Sequence, residues 1–239
     1  MTSFISHLHT DLRQVRLTKR GSTHDAKDVP QGLHKEYPRM EHIVLPAPSP
    51  LDAGISEILE RRFSYHKGNE NTELSVTDCG TLLGTALKRR SLSNSRNYPS
   101  GGALYPIETY LFSIGLEGQP PAVFHYNPTE HVLEKLWDLP DNFLIKDLAH
   151  SPDDLLFSSM LVFTSVWKRS SAKYGDFTYT LALLEAGHMS ENILLVSTAL
   201  NLHARPMAGF NDDLILRILD LDPEEEQPVH SITLSKNSS

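Results

Sequence analysis

A lysine and a tyrosine stand side by side in the segment Ala172–Gly175, as Lys173 and Tyr174. An amine next to a phenol can serve as a proton-transfer pair. Both groups have unperturbed pKa values of about 10, so burial or a nearby positive charge must lower one of them before it can act as a base at neutral pH. The residues alone also allow a plain solvated loop at this position.

A second candidate is the segment Tyr98–Glu108, which reads YPSGGALYPIE. Its adjacent glycines, Gly101 and Gly102, allow the backbone to approach a ligand closely, and Ser100 adds a hydroxyl beside them. Glycine and proline also mark ordinary turns, so the segment could simply lead into a strand that begins at Ile107. Both interpretations remain open at this point.

Basic side chains gather near the end of a predicted helix and could bind a phosphate through charge-assisted hydrogen bonds. Cations are also common at helix C-termini, where they complement the helix dipole. The chain contains neither a GxGxxG motif nor a Walker loop, which argues against a common dinucleotide or nucleoside triphosphate site. The polar residues of the cluster are Arg61, Arg62, Ser64, His66 and Lys67.

The middle of a long apolar helix carries three polar residues, Glu185, His188 and Asn192, spaced i, i+3 and i+7. Buried polar groups cost about 1–3 kcal/mol each when they lack a partner. The three residues should therefore meet another subunit, an internal network or a ligand. Their order differs from the HExxH pattern of zinc enzymes, and we predict no metal site.

The apolar pattern predicts the elements that must position these residues. Helical spacing indicates helices over residues 51–62, 75–87, 176–202 and 212–219, with Ser75 or Thr77 as the N-cap of the second. Alternating or β-branched runs predict strands over residues 107–114, 122–126, 132–137, 158–166 and 229–234. Because strands and helices do not alternate in a βαβ rhythm, we expect an α+β fold.

Two regions differ in composition. Residues 1–50 are polar and contain five histidines, whose spacings match no metal-ligand signature, so we expect a loosely structured or partner-contacting arm. Residues 51–239 form the predicted folded domain. The five histidines are His7, His9, His24, His34 and His42.

Charge and cysteine content restrict the possible partners. The formal net charge is -8, which leaves no basic surplus for nucleic acid, and no apolar run reaches the ~20 residues of a membrane span. A single cysteine, Cys79, allows no internal disulfide. We expect a cytoplasmic protein that binds neither nucleic acid nor membrane.

The order of the segments resembles the azoline-oxidase branch of the nitroreductase family, which acts with cyclodehydratases in thiazole- and oxazole-containing peptide biosynthesis. The resemblance covers roughly residues 55–234, and PSGGALYP and LLEAGH are its more specific motifs. The segments are RRFSYHKG, YPSGGALYPIETYLF, FHYNPTEHVLEKL, KYGDFTYTLALLEAGHMSENILLVSTALNL and MAGF.

This resemblance implies an intertwined homodimer with a nitroreductase-like fold, in which a mixed or antiparallel central sheet is flanked by helices and FMN lies between the subunits. It implies that Lys173 and Tyr174 are the acid–base element. The phosphate of FMN would be bound by Arg62, Ser64, His66 and Lys236. Further cofactor contacts are assigned to Pro99, Ser100, Gly101, Gly102, Asn192, Met207, Ala208 and Gly209.

Departures from the family pattern lie in two motifs. Phe63 and His66 replace arginines of the usual Arg-Arg-Ser-x-Arg start, so Arg61 or Arg205 could assist in phosphate binding. Phe177 and Thr180 stand where arginines usually follow the KYG motif.

The function implied is FMN-dependent dehydrogenation of peptide thiazolines or oxazolines to thiazoles or oxazoles, with a cyclodehydratase or synthetase as partner. One alternative is a nitro- or quinone reductase that uses NAD(P)H on the same fold. The other is a non-catalytic scaffold subunit of a biosynthetic complex.

Overall fold

A seven-stranded antiparallel sheet forms the centre of this computed structural model, which describes residues 7–8, 10–11, 34–90, 93, 95–150 and 156–237. The strand order is β1-β4-β3-β2-β5-β7-β6, so β2 is central and β1 and β6 are the edges. The strands are β1 (Glu41–Val44), β2 (Ile107–Ser113), β3 (Ala122–Asn127), β4 (Val132–Asp138), β5 (Ser159–Val166), β6 (Leu202–Met207) and β7 (Glu226–Lys236).

Helices cover both faces of the sheet. The helices are α1 (Ile55–Arg61), α2 (Val76–Leu87), α3 (Lys168–Tyr174), α4 (Thr178–Ala199) and α5 (Asp212–Leu219). The core of one face includes residues of α2 and α4, and the core of the other includes residues of α5. Every residue of β2 is buried, as expected for a central strand covered on both sides.

The α+β class is confirmed, and four predicted strands lie within two residues of β2, β3, β4 and β5. Ser75, not Thr77, is the N-cap of α2, because its hydroxyl accepts a hydrogen bond from the backbone N–H of Asp78 at 2.9 Å. The final strand is longer than the predicted 229–234: β7 begins at Glu226 and ends at Lys236.

Two elements follow a different course from the predicted one. The predicted helix over residues 176–202 begins only at Thr178, after a 3-10 turn over Gly175–Phe177, and ends at Ala199. Gly175 has φ 54°, which ends α3 and separates it from α4. The segment from Leu202 then forms edge strand β6, where Pro206 is tolerated because an edge strand needs fewer backbone donors.

The expectation of a loosely structured arm is wrong for Glu41–Val44, which pairs antiparallel with β4 as strand β1. Lys35 also reaches the protein interior, where its backbone N–H donates to Glu108 at 2.6 Å. Most of residues 1–33, including His9 and His24, lies outside the described residues. A role of the arm in partner contact stays a prediction.

Within the described ranges, no helix has both the length and the apolar character needed to cross a bilayer. The same part of the chain contains no group of three or more His, Cys, Asp or Glu side chains that could hold a metal ion.

The cap of α2 provides a test of the fold. We expect Ser75→Ala to lower the free energy of unfolding by about 1 kcal/mol, because the N–H of Asp78 loses its acceptor. Thr77→Ala, at an exposed position in the same turn, should change it little. Urea denaturation of the two variants compares them directly. Equal effects would contradict the assignment of Ser75 as the cap.

Candidate active site

The glycine loop, residues 99–105, folds back on itself before β2. Its 3-10 turn over Gly101–Ala103 begins with a bond from the N–H of Ala103 to the carbonyl oxygen of Ser100 at 3.1 Å. The Ser100 hydroxyl accepts from the N–H of Tyr105 at 2.9 Å. Gly102 has φ 68°, in the left-handed region that favours glycine. The loop is therefore closed by its own hydrogen bonds.

The predicted acid–base pair lies directly against this loop. A Cβ atom built on Gly102 would lie 2.5 Å from the hydroxyl oxygen of Tyr174 and 3.0 Å from Nζ of Lys173. Lys173 Nζ is also 5.2 Å from the centroid of the Tyr174 ring. Lys173 is exposed and Tyr174 is half-buried. The structure thus brings Lys173 and Tyr174 against Gly102. This close approach is possible because glycine has no side chain.

Beneath the loop lies a buried charge network that sequence reasoning missed. His125 is fully enclosed, and its ring bridges two carboxylates: Nε2 is 2.9 Å from Glu108 and Nδ1 is 2.7 Å from Glu134. The other side of the Glu108 carboxylate contacts the guanidinium of Arg169. The sequence did contain one signal of this network, because His125 and Glu134 are polar residues inside two predicted strands. In the structure they lie opposite each other in the β3–β4 register.

Mutual pairing keeps this network ionised despite its burial. Burial alone would raise the pKa of Glu108, but the hydrogen bond from His125 and the charge of Arg169 outweigh it and hold that pKa well below its usual value. Burial would likewise lower the pKa of His125, whereas its bonds to Glu108 and Glu134 raise it. The network is therefore an alternating row of negative and positive charges.

The predicted polar row on α4 does not act as one stripe. Glu185 is 1% exposed, His188 is exposed, and Asn192 is half-buried. The amide nitrogen of Asn192 donates to the carbonyl oxygens of Ala86 at 3.2 Å and Asn97 at 3.0 Å, which joins α4 to α2 and to the loop that follows it. These bonds give Asn192 a structural role, and its contact with a cofactor stays a prediction.

Glu185 lies behind the glycine loop, and its pKa is raised above the usual value. Burial raises its pKa to about 7, and the nearby Ser100 hydroxyl, the Arg96 charge and the Ile107 backbone only partly oppose this. Ser100 is close enough to lower the pKa, yet neither carboxyl oxygen has a partner in good hydrogen-bonding geometry within the described residues. Glu185 is therefore a weakly bonded buried acid.

The predicted phosphate site lies along edge strand β6. The backbone N–H of Tyr65 donates to Ala204 at 3.1 Å, and Arg205 donates to the carbonyl oxygen of His66 at 3.4 Å. Arg61 donates to the side chain of Asn201 at 2.8 Å. In the part of the chain that the structure describes, the side chains that remain without a hydrogen-bond or ion-pair partner include Arg62, Ser64 and His66.

Lys236 is at the same end of β6 as these residues, because it is opposite Leu202 in the β6–β7 register. Its Nζ is 3.8 Å from Asp78 of α2, so Lys236 has an acidic neighbour before any anion binds. Phe63, which replaces an arginine of the family pattern, is 58% exposed and packs edge-on against Tyr65.

The remaining predicted contacts, Pro99, Ala208 and Gly209, are exposed, and Met207 is half-buried at the end of β6. The carbonyl oxygen of Gly209 accepts from the N–H of His150 at 3.0 Å. Open surface at these positions is compatible with a ligand, and their role as cofactor contacts stays a prediction.

The sequence model of the Nitroreductase family matches residues 70–235, which is more than half of the chain. This chain therefore belongs to the nitroreductase family. It is 29% identical over 167 residues to the microcin B17-processing protein McbC of Escherichia coli, covering 67% of this chain and 61% of that protein. It is 24% identical over 247 aligned positions to the trifolitoxin-processing protein TfxB of Rhizobium leguminosarum bv. trifolii, covering 96% and 65%.

This chain thus spans less than two thirds of the length of those two relatives. A solved structure of the E. coli microcin synthetase McbBCD complex with truncated pro-MccB17 bound shares its fold, with a TM-score of 0.67 and 23% identity over 98% of this chain and 92% of that one. The resemblance to the azoline-oxidase branch and the nitroreductase-like fold are confirmed.

The raised pKa of Glu185 predicts a pH dependence of stability. Because the folded pKa of about 7 exceeds the usual value of 4.5, the stability associated with this group is complete below pH 4.5 and is lost as pH rises to 7. We therefore expect Glu185→Gln to gain stability relative to the parent protein across that window, by on the order of 3 kcal/mol.

Urea denaturation at pH 5 and pH 8 measures this difference. Glu191→Gln, at an exposed position of the same helix, is the matched control and should show no such gain. A pH-independent difference between Glu185→Gln and the parent would show that the carboxyl group titrates normally.

Gly102 predicts a second effect on stability. Gly102→Ala should destabilise the protein by about 1–3 kcal/mol, because a side chain at positive φ is strained and its Cβ would overlap the Tyr174 hydroxyl. Gly187→Ala on α4, where a Cβ meets no atom within 4 Å, should instead be neutral or stabilising. If thermal denaturation gave equal melting temperatures for the two variants, the close approach of Tyr174 to Gly102 would be refuted.

Proposed function

We propose that this protein is an FMN-dependent azoline oxidase, which dehydrogenates thiazoline or oxazoline rings of a peptide to thiazoles or oxazoles in natural-product biosynthesis. The observation that carries the proposal is the contact of Lys173 and Tyr174 with Gly102. An amine and a phenol beside the loop that marks this branch are suited to proton transfer at a bound ring.

The reaction balances as the removal of one proton and one hydride. The ring loses a proton from Cα and a hydride from Cβ, and the new double bond makes it aromatic. When bound, FMN would supply the hydride acceptor, with oxygen as the final oxidant. The neutral amine of Lys173 or the phenolate of Tyr174 takes the proton, and the closed glycine loop lies against both groups.

The residues present fit an FMN phosphate. Arg62, Ser64 and His66 offer a guanidinium, a hydroxyl and an imidazole, and none of these side chains is bonded to another described residue. Such groups bind phosphate through charge-assisted hydrogen bonds. Lys236 adds a fourth donor at the same end of β6, after release from Asp78. The exposed backbone of Gly102 would face the ring system, with Ser100 and Gly101 beside it.

We assign the partner surface to exposed apolar side chains on two helices. Such side chains recur on α1 and just after it, and again on α4, where water would otherwise cover them. A second copy of this chain would bury them and form the homodimer implied by the family, and a cyclodehydratase would supply the azoline peptide. These side chains are Ile55, Leu59, Phe63, Tyr179, Leu183 and Leu184.

Replacement of the amine tests the proposed chemistry. We expect Lys173→Ala to retain flavin absorbance while azole formation falls at least ~100-fold, because a positioned general base contributes about this factor. The assay uses a synthetic thiazoline-containing peptide and detects the loss of two hydrogen atoms by mass spectrometry. Lys168→Ala, at the other end of α3, removes an exposed amine paired with Glu225 and should leave the rate unchanged.

Other results would redirect the assignment. Oxidation at the parent rate in Lys173→Ala would remove Lys173 from the mechanism. Rapid flavin reduction by NADPH with nitroaromatic turnover, and no azole formation, would indicate a reductase. A folded, colourless protein that does not take up added FMN would indicate a scaffold subunit.

A further inference from the structure

The guanidinium of Arg169 joins the segments that carry the proposed chemistry. Arg169 belongs to α3, one helical turn before Lys173, and is 8% exposed. Its Nη1 donates to the carbonyl oxygen of Tyr105 at 3.2 Å, and its Nη2 contacts the carboxylate of Glu108. Tyr105 ends the glycine loop and Glu108 belongs to β2. One side chain therefore ties α3 to the loop and to the sheet.

The partner of Arg169 is itself immobilised. The Glu108 carboxylate also accepts from the backbone N–H of Lys35 at 2.6 Å and from Nε2 of His125 at 2.9 Å. His125 is held in turn by Glu134. Because β3 and the segment before β1 also bind Glu108, the carboxylate is held independently of α3, and Arg169 is anchored to a fixed point.

We propose that Arg169 is a positioning residue that sets the place of the Lys173 amine and the Tyr174 hydroxyl over Gly102. Residues four apart on a helix share a face, so Arg169 and Lys173 both point toward the loop. A guanidinium makes two bonds at a fixed angle, which defines both the depth and the rotation of α3, whereas a lysine amine at position 169 could not make both. This inference rests on the acid–base role proposed above for Lys173 and Tyr174.

Arg169→Lys separates positioning from charge. The variant keeps a positive group beside Glu108 but loses the two-point bond, so the carboxylate does not remain buried without a cation. We expect flavin occupancy and the KM for the synthetic thiazoline peptide to stay within about twofold of the parent. The rate of flavin reduction by that peptide under anaerobic conditions should fall at least ~10-fold, because small misplacements of reacting groups are costly.

Arg217→Lys is the matched control. Arg217 is an exposed arginine of α5 whose side chain bonds only to the backbone of its own helix among the described residues. Its replacement should leave the rate, KM and flavin content unchanged. A parent-like reduction rate in Arg169→Lys, or a loss of rate matched by an equal loss of flavin, would overturn the positioning role.

Hydrogen exchange gives a readout that does not depend on azoline chemistry. In Arg169→Lys, the amides of α3 and of the glycine loop should exchange faster, while those of α5 stay unchanged. Unchanged exchange in α3 would overturn the inference even if the parent protein oxidises azolines. Faster exchange in a protein that fails to oxidise azolines would support the link between α3 and the loop, and refute only the proposed function.

A second variant tests the same link if Arg169→Lys does not fold. Glu108→Gln keeps the shape and one acceptor of the anchor while weakening its hold on Arg169. It should reproduce the faster exchange of α3 and the lower reduction rate with KM retained. Parent-like behaviour of Glu108→Gln in both measurements would equally overturn the proposal.

Discussion

The pairing of buried charges at Glu108 determines how the elements around the candidate site are arranged. An isolated carboxylate cannot be buried without a large loss of hydration free energy, so it requires cations and donors at bonding distance. Arg169, His125 and the backbone of Lys35 provide them, each from a different part of the chain. Satisfying this one side chain fixes α3, β3 and the segment before β1 against β2.

Such networks contribute more to geometry than to stability. Apolar side chains of similar volume often stabilise a fold as well as buried ion pairs do, because desolvation offsets much of the Coulomb attraction. Their directional bonds, however, tolerate little displacement. That rigidity holds Lys173 and Tyr174 against the backbone of Gly102. Burying Arg169 therefore costs hydration free energy at the same place where the proposed chemistry needs fixed geometry.

The spacing of apolar residues along the chain predicted those elements that a short stretch of sequence specifies. β-branched and alternating runs identified β2 to β5. The pattern also restricted the cap of α2 to Ser75 or Thr77, and the structure shows that it is Ser75. The pattern failed for α3, whose seven residues follow a strand directly and have no side-chain cap. It also failed for β1, whose four residues are mostly exposed, and for β6, which follows α4 after a short turn and contains Pro206.

The sequence by itself determined which chemical groups were available and which family they indicate: an amine and phenol in KYG, a glycine pair in PSGGALYP, and basic residues after α1. Only the tertiary structure decided that Tyr174 touches Gly102 and that Arg169 meets Glu108. The physical reason is that side-chain periodicity specifies which face of an element is buried, whereas strand order and long-range pairing depend on the free energy of the whole packed chain.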